Sequence, residues 1–286
     1  GLVGSEMCIR DRINSTPSGS TYTNSGVIHG TINGVVINAT VSTVTNTSSG
    51  TITGGGGSGN AIGINATVNT LTNSGTLSSP IAISNWFGYI GVFNNSGKVL
   101  GNNTGFQNIT GVTTLTNTGT ISGTSTWGIW NNYYSSGFQT INNSGSITGA
   151  AVGLINTSSI GNLVNSGLIQ NPGYYTSTGI WGVTAAVWNY ANTDGAGRFG
   201  TLTNSGTITG PQYGVANNGE TYTQYSCTPR GCVPGQTTIY TASIGLISNE
   251  SSGTIYGGKY GVFNGVFGTI GTITNSGKIL GNQAGI

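Results

Sequence analysis

Asp194 and Glu220 are the only two carboxylates placed in neighbouring irregular stretches of this sequence. Paired carboxylates at a defined separation are what glycoside hydrolysis requires. Nothing around them completes a richer constellation. His29 is the single histidine, more than 160 positions from either acid, so no Ser/His/Asp set can be assembled, and a lone histidine lacks the partners that catalysis or metal binding needs. Of the three cysteines, Cys8 lies in an atypical N-terminal stretch, while Cys227 and Cys232 bracket the four residues Thr228-Pro229-Arg230-Gly231. That spacing favours a small-loop disulfide over free thiols and suits an oxidising, extracellular setting. Without histidine or acidic neighbours the pair makes no metal site. The sequence implies neither metal nor cofactor.

Around the two acids the chain gathers aromatic and charged side chains. Tyr174, Tyr175, Trp188, Tyr190, Asp194 and Arg198 belong to one such stretch, and Glu220, Tyr222, Tyr225, Arg230 and Tyr240 to the next. Exposed aromatics interspersed with hydrogen-bonding groups suit a sugar or a protein surface, so these eleven residues form the candidate binding patch. The competing reading makes their four ions ordinary solvated loop charges.

A short repeat must position these stretches. An Asn-Ser-Gly core or a close variant ends at Gly26, Gly50, Gly75, Gly97, Gly119, Gly145, Gly167, Gly206, Gly253 and Gly277. The intervals are 24, 25, 22, 22, 26, 22, 39, 47 and 24 residues, a base period of 22 with additions, and a fixed period in this range marks a repeat architecture. Two residues after every one of these glycines stands an aliphatic residue, from Ile28 to Ile279, usually flanked by Thr or Ser. Side chains alternate faces along a strand, so the aliphatic side chain points inward and its hydroxyl neighbours outward. A second strand reads Gly-aliphatic-x-Asn, as in Gly153-Leu154-Ile155-Asn156. A third carries apolar residues three apart, as in Val112 and Leu115, and ends at the next Asn.

Three short strands per 22 residues, without helical periodicity, predict an all-β parallel β-helix of about ten coils, a rod about 45–50 Å long. The corner Asn and Gly are expected to supply positive φ, and the Asn side chains to stack as a structural ladder rather than a recognition strip. The coils after Gly167 and Gly206 exceed the base period by 17 and 25 residues. Loops near 171–200 and 219–241 are expected to leave after the same strand and lie side by side, the second as a hairpin closed by the cysteines. Aromatics also cluster elsewhere: Trp86, Phe87, Tyr89 and Phe93 in one coil, and Trp127, Trp130, Tyr133 and Tyr134 further on. The sequence alone does not divide them between core and surface.

Charged residues make up 4% of the chain, against about 25% in ordinary globular proteins, and the net charge is +2. Nucleic-acid binding, which needs a basic stripe, is excluded on this composition. Residues 1–12 hold four of the twelve charged side chains and no repeat. They resemble translated sequencing adapter, so residues 1–19 are expected to be non-native or disordered, and 20–286 to be the repeat domain, cut from a longer protein.

Leu202-Thr203-Asn204-Ser205-Gly206-Thr207-Ile208-Thr209-Gly210, followed by Gly214-Val215-Ala216-Asn217, resembles the passenger domains of bacterial autotransporters of the adhesin type. The resemblance covers about residues 20–286. It implies a right-handed parallel β-helix on the bacterial outer-membrane surface or in the extracellular space, and a translocator β-barrel beyond this segment. It also implies roles in adhesion to a host glycan or protein, self-association or biofilm contacts. No catalytic motif of enzymatic passengers is present to carry over, so a non-enzymatic contact rod is expected. A plain stalk, or less plausibly a polysaccharide-active β-helix enzyme, is the alternative.

Overall fold

The structure is a computed structural model that describes residues 11–13, 19–132, 136–173, 183–193, 195–228 and 231–286. It is all-β, with parallel strands stacked as a solenoid. Each coil contributes three strands, and the coil of Gly206 shows the pattern: Thr207–Gly210, Tyr213–Asn218 and Ala242–Asn249. Strands of the first kind and of the second kind belong to one continuous 18-stranded sheet, because Thr76–Asn85 and Lys98–Asn108 run unbroken round the corner between them. The third strands form a separate sheet of ten, so the three stacks make a first, a second and a third sheet, of which the first two are joined. Ten strands in that stack enclose about nine turns, one fewer than the ten coils the sequence suggests.

The inward aliphatic residues stack in register as the repeat requires. On the first face the column runs from Ile28 through Ile52, Leu77, Val99, Ile121, Ile147, Ile169, Ile208 and Ile255 to Ile279. Except at its half-buried ends it is buried. Phe93, Phe106 and Phe138 sit in the core as a T-shaped series, with ring centroids 5.5 and 5.8 Å apart, the edge-to-face geometry that ring quadrupoles favour.

The asparagines that end each third strand form a ladder along the whole rod. Each Nδ2 donates to the Oδ1 of the next coil's Asn, from Asn24 to Asn275, at 2.7–2.9 Å. The same amides reach backbone carbonyls at the corner; Asn204 donates to Gly206 at 3.1 Å. A second ladder, at the ends of the second strands, runs from Asn85 through Asn108, Asn131, Asn156, Asn189 and Asn217 to Asn264. It starts at Asn85 because the coil below places Ile64 in that register position. The Asn85 Oδ1 consequently has no donor beneath it and remains buried without a partner.

The corner glycines are explained by crowding, not by left-handed backbone. Among described glycines only Gly19, Gly56, Gly137 and Gly173 have positive φ. A Cβ on Gly119 would instead lie 2.1 Å from the carbonyl oxygen of Gly97, closer than any real contact. Stacked corners approach too tightly for a side chain, which corrects the expectation of positive φ.

Asp11–Ile13 forms a strand in parallel register with Val35–Ile37, although the segment lacks the repeat. The end of a parallel sheet offers unpaired backbone groups, and any extended segment can satisfy them.

Candidate functional site

The two insertions do not leave from one corner. The segment from Asn171 departs between the first and second strands, and its start is pinned to the rod by a bond from the Asn171 backbone N–H to the Thr209 carbonyl, 3.0 Å. The residues after Ala185–Tyr190 and the hairpin after Tyr213–Asn218 both depart from the ends of second strands, so these two are neighbours. Their contact is Glu220. Its carboxylate accepts a bond from the Tyr190 hydroxyl and another from the Thr193 backbone N–H at 3.2 Å.

The hairpin pairs Glu220–Thr228 with Gly231–Tyr240 in antiparallel register. A register shift falls between Thr223 and Tyr225, where Pro234 faces Tyr225; proline cannot donate to the ladder, so a bulge at that point is expected. Cys232 is disulfide-bonded, and Cys227 is its direct partner in the ladder. The Thr223 and Thr237 hydroxyls bridge the strands at 2.9 Å.

Two residues of the predicted patch, Trp188 and Tyr190, are buried. Trp188 has no exposed area and Tyr190 is 3% exposed. Trp188 points outward from its strand, yet it lies in a second apolar cluster on the outer face of the second sheet, with Ile155, Ala185 and Ala216, bordered by Trp127, Trp130, Tyr213 and Phe263. Its Nε1–H donates to Asn218 Oδ1 at 2.6 Å. Trp188 and Tyr190 are therefore structural, which corrects their place in the binding patch. Alternation predicts that they leave the inner core, but nothing local to them signals that an outer layer covers them.

Of the remaining candidates, Glu220, Tyr222 and Tyr240 alternate onto one face of the hairpin, where Tyr222 is 50% exposed. Arg198 is exposed at the start of its third-sheet strand. Tyr174, Tyr175, Asp194 and Arg230 lie outside the described residues, as do Tyr133 and Tyr134, and Tyr225 is placed by its backbone only. Glu220, the carboxylate that a glycosidase reading would pair with Asp194, is engaged by a tyrosine hydroxyl and a backbone amide. Among the described residues no group of three or more His, Cys, Asp or Glu side chains stands close enough to hold a metal ion. His29 is exposed and its Nδ1 bonds the Thr53 hydroxyl at 2.8 Å.

A column of aromatics continues along the same outer face. Tyr213 stacks on Phe263 at 4.7 Å and on Tyr260 at 6.1 Å, with interplanar angles of 25° and 10°. Burial, and secondarily the nearby Tyr260, raises the Tyr213 pKa above its ordinary value. Rings stacked on one another offer their edges outward, a poor platform for a sugar.

Besides Tyr222, a group of aromatics reaches solvent elsewhere on the rod. Trp86, Phe87 and Tyr89 occupy the corner between the second strand Thr76–Asn85 and the third strand Tyr89–Asn95, and all three are exposed. Compared with family models, curated proteins and solved structures, the chain matches none.

Proposed function

We propose that this chain is the rod of a surface-displayed or secreted, adhesin-like bacterial protein, a non-enzymatic scaffold that carries contact surfaces away from the cell. The observation that carries this reading is the ten-residue asparagine ladder, which passes both insertions without a break. A scaffold needs every coil fixed to the next, and here three parallel strand stacks and an axial chain of amides do so. The hairpin is an attachment on this rod, tied to it by Glu220 and Tyr190. Burial of Trp188 and Tyr190 favours the rod's own faces over the insertions as contact surfaces. Few charges on those faces leave little repulsion against self-association.

Display of the chain on a non-aggregating bacterium tests this. Intact chain and a form lacking the hairpin are both expected to cause clumping or attachment above cells displaying an unrelated protein. Loss of the effect with the hairpin would transfer the contact site to the insertion. No effect from either form would leave a plain stalk.

A further inference from the structure

We infer that the corner carrying Phe87 and Tyr89 is a binding site for a neutral oligosaccharide. This goes beyond the scaffold reading and lies on the rod, away from both insertions. Phe87 is 75% exposed, the highest value among the large apolar side chains on the described surface. It borders a shallow groove of about 490 Å³ that also involves Tyr89, Thr40, Thr67 and Thr110. A groove of this size lies within the ordinary range for small ligands.

The groove follows from the repeat. The third-sheet registers put Thr40, Thr67, Tyr89 and Gly111 in one row along the rod axis. Tyr89 thus stands where the preceding coils have threonine, and the next coil has no side chain at all. Its ring fills that gap: a Cβ on Gly111 would lie 3.2 Å from two carbons of the Tyr89 ring. The Tyr89 hydroxyl is bonded to the Thr113 hydroxyl. One side of the ring therefore rests on backbone and its tip is tethered, while 40% of the residue remains open to solvent. This is a preorganised aromatic platform, with Phe87 and Trp86 rising beside it, their rings 6.0 Å apart.

The surroundings select the ligand. The groove lining contains no charged side chain, so an acidic glycan, phosphate or charged peptide finds no counterion. Backbone groups here are engaged between coils, as in Trp86 N–H to Ile64 O at 3.1 Å, so an extended peptide cannot add as a strand. The groove is too open to enclose a lipid tail. What remains is an aromatic face beside the hydroxyls of Thr40, Thr67 and Thr110, the last donating to the Gly88 carbonyl with lone pairs left to accept, which matches the apolar C–H face and hydroxyl rim of a neutral sugar.

The test is titration calorimetry of the whole chain with cellohexaose, mannohexaose and N-acetylchitohexaose, with a sialylated and a sulfated oligosaccharide as acidic controls. At least one neutral oligosaccharide should bind. Phe87→Ala and Tyr89→Thr, the latter restoring the repeat residue, should each weaken it about tenfold with unchanged thermal unfolding. Tyr222→Ala on the hairpin should leave it unaltered. Failure of all three neutral ligands, a preference for the acidic ones, or undiminished binding by both corner variants would overturn the proposal.

Discussion

The Asn204 side-chain amide donates to Asn249 at 2.9 Å across a sequence separation of 45 residues, the bond that Asn95 makes to Asn117 across 22. The hairpin is inserted between Asn204 and Asn249, yet the ladder geometry is unaltered. Local period varies along this chain while axial spacing does not, because each added segment leaves and returns at a corner.

The ladder should be expensive to break in the middle and cheap at its end. Asn117→Ala removes the donor to the buried Asn143 Oδ1 and the shortest of the Asn95 amide's bonds, leaving that amide its longer contacts to the Gly97 and Thr120 carbonyls. Leaving buried polar groups unpaired costs about 1–3 kcal/mol each, so a loss of about 3 kcal/mol is expected in denaturant unfolding. Asn275→Ala, at the exposed end of the ladder, should cost under about 1 kcal/mol.

Gly119→Ala tests the crowding account of the corners. A methyl group 2.1 Å from the Gly97 carbonyl oxygen must push the two coils apart, with an expected cost of about 3 kcal/mol or more. If positive φ were not at issue and space were available, the same change would be neutral or slightly stabilising. Thermal unfolding of the variant separates these outcomes.

The hairpin should be separable from the rod, but its base should not. Replacing Thr221–Ile239 by two glycines keeps Glu220 and Tyr240, which are already paired, and should change rod stability by less than about 1 kcal/mol. Glu220→Ala should cost about 1–3 kcal/mol, since the buried Tyr190 hydroxyl loses its acceptor. Reduction of the disulfide should speed amide exchange in the hairpin and leave the rod's midpoint in place.

Alkaline pH should weaken the outer aromatic column. The folded state raises the Tyr213 pKa above the ordinary tyrosine value of 10.0, through burial and then Tyr260. The native state thus holds this proton more tightly than the unfolded chain. Stability is complete below pH 10 and declines as pH rises from there through the raised value. Tyr213→Phe should remove that part of the alkaline loss, seen by comparing unfolding midpoints of the two proteins across this range.

Much of this fold is legible in the sequence because a coil is a local object. Ile208 and its nine equivalents announce the core, and the terminal Asn of each strand announces the ladders. The hairpin is legible too, since Thr221–Tyr225 and Gln236–Tyr240 alternate as strands. The candidate site was far less readable. Trp188 obeys the outward alternation yet is buried, because an outer apolar layer covers the second sheet, and such a layer leaves no periodic trace. The role of Glu220 depends on which corner each insertion leaves from, and interval lengths do not encode that. Tyr89 could have been singled out by aligning coils, where it replaces threonine just before a coil with glycine.

The central claim is that the coils on both sides of the insertions form one stack. Native-state amide hydrogen exchange, resolved along the sequence, tests it most directly. The third strands Ser159–Asn165, Arg198–Asn204 and Ala242–Asn249 should be protected as strongly as Gly111–Asn117 and should open with it as one cooperative unit. A break in protection between residues 170 and 242, with the two parts opening at different free energies, would contradict a continuous rod.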